Sequence, residues 1–132
     1  MPAALRGQKV VLYFYPRDDT PGCTLEGQDF QRLLPAFKRA GTRVFGISRD
    51  TLAAHHKFCS KFNFEFALLA DEAGAVCTQF DVIRMKNMYG RKVMGIERST
   101  FLIDAQGKLR QEWRKLKVTG HAAEVLEAAR AL

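Results

Sequence analysis

One thiol carries the strongest chemical signal in this chain. It lies in the segment from Tyr15 to Glu26, YPRDDTPGCTLE. Thr20 followed by Pro21 is a helix N-cap followed by proline at the first helical position, where a missing N–H costs nothing. That register puts Cys23 in the first turn, where unpaired backbone N–H groups and the positive end of the helix dipole favour thiolate over thiol. The flanking Pro, Asp, Asp and Gly describe an exposed loop rather than a core position. Cys23 therefore reads as a reactive thiol rather than a space-filling one.

The elements that must position it follow from periodicity. Lys9 to Tyr15 (KVVLYFY) is a dense β-branched and aromatic run, the pattern of a buried strand. Phe30, Leu33, Leu34 and Phe37 recur at helical spacing. Pro35 inside that stripe predicts a kink or break, and Gly41 a helix stop. Thr42–Ser48 reads as a second strand, and Asp50 as the N-cap of a helix over Thr51–Phe62. Phe66–Ala70 reads as a short buried strand and Gly74–Phe80 as a short helix. Ser99–Asp104 and Lys108–Leu116 flank a hairpin turn at Ala105-Gln-Gly107, and a closing helix begins near His121. The basic stretch Arg84–Lys92 reads as a solvated loop. Strands alternating with helices imply an α/β fold, with parallel strands, helices on both faces and a late antiparallel edge. This is the thioredoxin-like arrangement, with a central mixed sheet.

Composition narrows the function classes. At 132 residues the chain is one domain, and 47% hydrophobic with 27% charged residues is an ordinary globule. The longest apolar run is far too short to span a membrane. Met1–Arg6 has no apolar stretch leading to a cleavage site, so no secretory leader is expected there. The net charge of +7 is spread evenly over both halves, which singles out no nucleic-acid face. Three widely spaced cysteines without C-x-x-C argue against a zinc site and fit a reducing cytoplasm. Cys59 can sit on the apolar stripe of its helix as plain core. Cys77 reads as core filler. His55, His56 and His121 share no ligand spacing and read as surface residues. Asp18 and Asp19 read as turn chemistry rather than metal ligands.

The run YFYPRDDTPGCT resembles the active-site segment of peroxiredoxins, specifically the peroxiredoxin Q or bacterioferritin-comigratory-protein group. Pro16, Thr20 and Cys23 match that family's P-x-x-x-T-x-x-C pattern. Arg98, just before the strand STFLID, matches its second element, and the likeness runs from about Gly7 to the C-terminus. The resemblance implies a thiol-dependent peroxidase for hydrogen peroxide and small organic hydroperoxides. Cys23 would be the peroxidatic cysteine, attacking a peroxide oxygen and becoming a sulfenic acid. Thr20 would hold peroxide and thiolate, Pro16 would shield the pocket, and Arg98 would stabilise the developing charge.

Many relatives carry a second cysteine five residues on; that position here is Gln28, which excludes the same-helix route. Another subset places it on the later helix, so Cys59 is the candidate resolving cysteine. Joining it to Cys23 would require Cα atoms within about 7 Å, so the first turn around Cys23 is expected to unwind in each cycle. A thioredoxin or similar dithiol protein would then restore the thiols. No metal, haem, flavin or nucleotide, no nucleic acid and no membrane are implied, and a monomer is expected. Relatives begin with an N-terminal hairpin that this chain lacks, so residues 1–132 read as a single short-form domain. Two alternatives stay open: a one-cysteine peroxidase using an external thiol, and a non-catalytic redox-sensing or holdase-like protein.

Overall fold

Every residue from Val10 to Tyr15 is buried or half-buried, as expected of a strand flanked on both edges and both faces. The computed structural model describes residues 7–132, so the reading of Met1–Arg6 lies outside the described residues. Its elements are β1 (Lys9–Phe14), α1 (Pro21–Arg39), β2 (Thr42–Ser48), α2 (Leu52–Phe62), β3 (Ala67–Ala70), α3 (Ala75–Gln79), β4 (Ile83–Met88), β5 (Arg91–Ile96), β6 (Ser99–Ile103), β7 (Leu109–Arg114) and α4 (His121–Arg130). The main sheet has the order β3-β2-β1-β6-β7, with β1 at its centre. β1, β2 and β3 run parallel, while β6 pairs antiparallel with both β1 and β7. This is the expected mixed α/β architecture.

Side chains alternate across β1. Val11, Tyr13 and Tyr15 join one core with Phe30 and Phe37 of α1, Phe58 of α2 and Val125 of α4. Two right-handed crossovers in the same direction must lie on the same face, which is why α1 and α2 share it. Among the described residues, the opposite face carries only α3 and the β4–β5 pair, around Phe14, Ile47, Cys77 and Phe101. Helices do lie on both faces, but three to one among the described residues.

Four local expectations change. Pro35 neither breaks nor ends α1. It lies on the exposed face of the helix, while Leu34, Ala36 and Phe37 keep the helix docked. The N-cap of α2 is Thr51, not Asp50; its hydroxyl accepts from the Ala54 N–H at 3.1 Å. β3 is not a buried strand, because it is a sheet edge where only Leu68 is covered. The basic stretch is no loop but the antiparallel pair β4–β5, turning at Tyr89 (φ 54°) and Gly90 (φ 79°). Two successive positive φ values are the type I′ turn that matches strand twist.

α1 lies close against its neighbours at Gly27, where a Cβ would meet the Phe64 ring at 2.5 Å. That ring is held by Phe58, Phe62 and Phe66 and has little room to yield. Gly27→Ala should therefore destabilise by about 1 kcal/mol or more through overpacking, although helix propensity alone would stabilise by about 1 kcal/mol. Urea unfolding reads the sign directly.

Candidate active site

The inward stripe of α1 extends back from Phe37 and Phe30 through Gly27 and Glu26 to Cys23. Cys23 is consequently 2% exposed, which corrects its reading as a loop position. The helix geometry is as read: Thr20 has extended N-cap dihedrals and Pro21 opens the helix. The Thr20 hydroxyl, however, does not cap it. It donates to the Arg17 carbonyl at 2.9 Å, and the first turn carries neither a side-chain cap nor an acidic residue. The positive end of the helix is thus left to whatever lies beside Cys23.

That neighbour is Arg98, delivered by the residue before β6. Its Nη2 donates to Cys23 Sγ at 3.4 Å and its Nη1 to Glu26 Oε1 at 2.5 Å. Glu26 is one turn after Cys23, so one planar guanidinium spans both side chains. Gly22 leaves room for it, since a Cβ there would stand 3.1 Å from Nη2. Burial lowers the Arg98 pKa, but Glu26 and Cys23 more than offset this, so its proton is held above the ordinary arginine value. Burial pushes Glu26 up to about 7 against the pull of Arg98. Its second oxygen, Oε2, is buried without a partner, as is the Tyr13 hydroxyl.

Arg98 also borders a cavity of about 310 Å³ with Arg84, Lys86, Glu97 and Lys115. The pKa of Lys86 is lowered by burial and then by Arg98; its ammonium donates to the Ile96 carbonyl.

The remaining candidates are placed as follows. Pro16 is exposed in the segment leading to α1. Cys59 lies half-buried on α2, packed against the same core as Cys23, and all three cysteines are free thiols. Burial, and then the charge of Asp18, raise the Cys59 thiol above its ordinary value. Cys77 is core, as read; burial and Asp71 push it up to about 12.

Of the three histidines read as surface residues, only His56 is exposed. His121 is buried with Nε2 2.8 Å from the Thr100 hydroxyl, and burial drives its pKa down to about 4. His55 is buried against Asp18, so Asp18 is more than turn chemistry; Asp19, at φ 57°, does fit that reading. Glu26 and the His55–Asp18 pair were not singled out from sequence. Continuing the α1 stripe back past Phe30 would have found Glu26. Among the described residues, no group of three or more His, Cys, Asp and Glu side chains is placed to hold a metal, and no helix is long and apolar enough to cross a membrane.

Residues 2–112 match the model of the AhpC/TSA family. The chain is 54% identical over 125 residues to Peroxiredoxin Bcp of Xanthomonas campestris, covering 95% of this chain and 78% of that protein. It is 47% identical over 122 residues to Peroxiredoxin Bcp of Bacillus subtilis, covering 92% and 78%. The solved structure of Xanthomonas campestris peroxiredoxin Q superposes with a TM-score of 0.92 at 54% identity, covering 97% of this chain and 81% of that one. Structures of that protein include two variants, each with one cysteine replaced by serine. The two replaced cysteines are as far apart in sequence as Cys23 and Cys59.

The raised Glu26 pKa makes a signed prediction. Its contribution to stability is fully present below the unfolded value of 4.5 and is lost as pH rises through about 7. Glu26→Gln removes that titration. Relative to the variant, the wild type should lose up to about 3 kcal/mol between pH 4.5 and 8, measured by denaturant unfolding of both proteins across the range.

Proposed function

We propose, from the premise that the chain belongs to the AhpC/TSA family and within it to the peroxiredoxin Q/Bcp group, that Cys23 is the thiol that attacks the peroxide. Membership makes the protein a thiol-dependent peroxidase, an oxidoreductase that reduces a peroxide at the expense of thiols. The observation that carries the assignment of residues is the Arg98 guanidinium shared between Cys23 Sγ and Glu26.

In this reading the Cys23 thiolate attacks one peroxide oxygen and the O–O bond breaks. Sulfur is oxidised to a sulfenic acid, and the other oxygen leaves as water or an alcohol after taking a proton. Arg98 can favour the thiolate beforehand and the developing oxyanion afterwards, because its charge is fixed in place before reaction. The Gly22 and Cys23 N–H groups, uncapped by any side chain, add donors on the same side. Thr20 sits at the start of that turn; its hydroxyl donates to Arg17 and still has lone pairs to accept from the peroxide. Pro16 stands at the exposed approach.

Cys59 is the resolving thiol of this proposal. Its thiolate attacks Cys23 Sγ, the sulfenic oxygen leaves as water, and a disulfide forms between α1 and α2. A thioredoxin-like dithiol protein then reduces the disulfide by exchange. Action as a monomer in the cytoplasm, where such reductants are kept reduced, completes the reading. The one-cysteine alternative is favoured by one observation, the raised Cys59 thiol, which is a poorer nucleophile while protonated.

The test is single-turnover oxidation with one equivalent of hydrogen peroxide, followed by peptide mapping. The wild type should end with a Cys23–Cys59 disulfide. Cys59→Ser should react as fast but stop at sulfenic or sulfinic acid and lose thioredoxin-supported turnover; retained turnover would establish the one-cysteine route instead. Arg98→Met should slow the attack itself by about 10²-fold or more, and Cys23→Ser should abolish it.

A further inference from the structure

His55 takes no part in the chemistry above, yet it is 1% exposed, and both of its ring nitrogens face acceptors. Nδ1 lies 2.6 Å from Asp18 Oδ2, and Nε2 lies 3.1 Å from the Leu69 carbonyl oxygen on β3. A neutral imidazole has one donor and one acceptor, so it would set a lone pair against one of these oxygens; only the imidazolium satisfies both. Asp18 is itself anchored. It accepts from the Tyr15 hydroxyl at 2.6 Å, and its N–H donates to Asp50 Oδ2 at 2.9 Å. Asp50 in turn takes the Ser48 hydroxyl at 2.5 Å. Further along α2, Lys61 reaches Asp19 at 2.9 Å across the surface. Two adjacent carboxylates of the segment leading into α1 are thus tied to two cations of α2, and Cys59 lies between those cations.

We infer that the His55–Asp18 ion pair is a clasp holding α2 against the active-site segment, and that its release sets how fast Cys59 reaches oxidised Cys23. This rests on the reading of Cys59 as the resolving thiol. Both cysteines sit in intact helical turns, so a disulfide between them requires the two segments to move relative to each other. The exposed Lys61–Asp19 pair is a weak tether, whereas the buried pair leaves uncompensated charge if it is broken.

The charged groups facing His55 are Asp18 from the β1–α1 segment and Asp50 from the β2–α2 connection. Tyr15 presents only a neutral hydroxyl, directed at Asp18. Burial pulls the imidazole pKa down, but the hydrogen bond and charge of Asp18, the Leu69 carbonyl and Asp50 together hold it above the ordinary histidine value. The clasp is therefore closed below that ordinary value and opens as pH rises through the raised one. His55 acts on the opening of α2, not on peroxide, and is a positioning residue.

Rapid-quench mapping of sulfenic acid and disulfide between pH 6 and 9 tests it. At pH 6, His55→Gln should form the Cys23–Cys59 disulfide about tenfold faster than the wild type, with Cys23 oxidation unchanged. The advantage should shrink towards unity as the wild-type ring loses its proton; Cys59 ionisation, common to both proteins, cancels in the ratio. Asp18→Asn, which also removes the charge that raises the Cys59 thiol, should be at least as fast at pH 6. Equal disulfide rates at pH 6 overturn the clasp while leaving Cys59 as the resolving thiol. Absence of that disulfide in the wild type and both variants overturns the Cys59 reading and the clasp's role with it. Should the variants fail to fold, nitrogen-15 spectra of the wild-type imidazole decide the point. Both ring nitrogens of His55 should be protonated at pH 6, and a neutral ring there overturns the proposal.

Discussion

A buried guanidinium between two acidic side chains is the constraint on which this structure turns. Arg98 is mostly covered, Glu26 is 1% exposed and Cys23 2% exposed. Removing such charges from water is tolerable only when they compensate one another. With both Glu26 and Cys23 ionised, one cation would serve two anions. The rise of Glu26 to about 7 reduces that conflict, because a protonated Glu26 leaves the charge of Arg98 to the sulfur. Much of the local architecture follows from bringing these groups together. Cys23 and Glu26 need one helical turn between them, Gly22 leaves the guanidinium close room, and Arg98 must come from just before the start of the strand beside β1. Antiparallel pairing of β6 with β1 does this, since Phe14, whose end leads to the active-site segment, faces Ser99 directly.

The same helix answers two demands that pull against each other. Its body is fixed by Phe30, Leu34 and Phe37 in the main core, while its first turn has no side-chain cap. An uncapped first turn forfeits roughly 1 kcal/mol of helix stability. It also leaves the N–H groups of Gly22 and Cys23 free of a competing side-chain acceptor. In the proposed mechanism, reactivity and ease of local opening would share one cause, the use of the Thr20 hydroxyl elsewhere.

Where the sequence was legible, the signal was local and the physics short-ranged. Thr20-Pro21 marks a helix start whatever surrounds it, and Ala105-Gln-Gly107 marks a turn. The order of strands and helices was readable because connection rules leave few alternatives. What escaped depends on partners distant in sequence. His55 looks like any polar residue on a helix until Asp18 and Leu69 close around it. β4 and β5 lack the apolar alternation of a half-buried strand, because most of their side chains meet solvent. Their turn uses Tyr-Gly rather than the more telling Asn-Gly. Cys23 looks like surface in the sequence and is buried in the fold. The polar loop before it obscured the continuation of the α1 stripe.

If Cys23 is the attacking thiol, as proposed, its burial changes how the site must operate. An exposed thiolate would meet oxidants and reductants alike, whereas a buried one next to a fixed cation admits only small reactants to a charge already compensated. The cost falls on the second half of the cycle. In the proposed route, Cys59 belongs to the same core face, and every aromatic contact that steadies α2, such as Phe58 with Tyr15 and Phe64, opposes the movement that would join the two sulfurs. A fold that only maximised packing there would leave Cys23 trapped as a sulfenic acid. Linking α2 to the active-site segment through ion pairs as well as aromatic contacts offers a way out, because an ion pair can be released by losing a proton, and an apolar contact cannot.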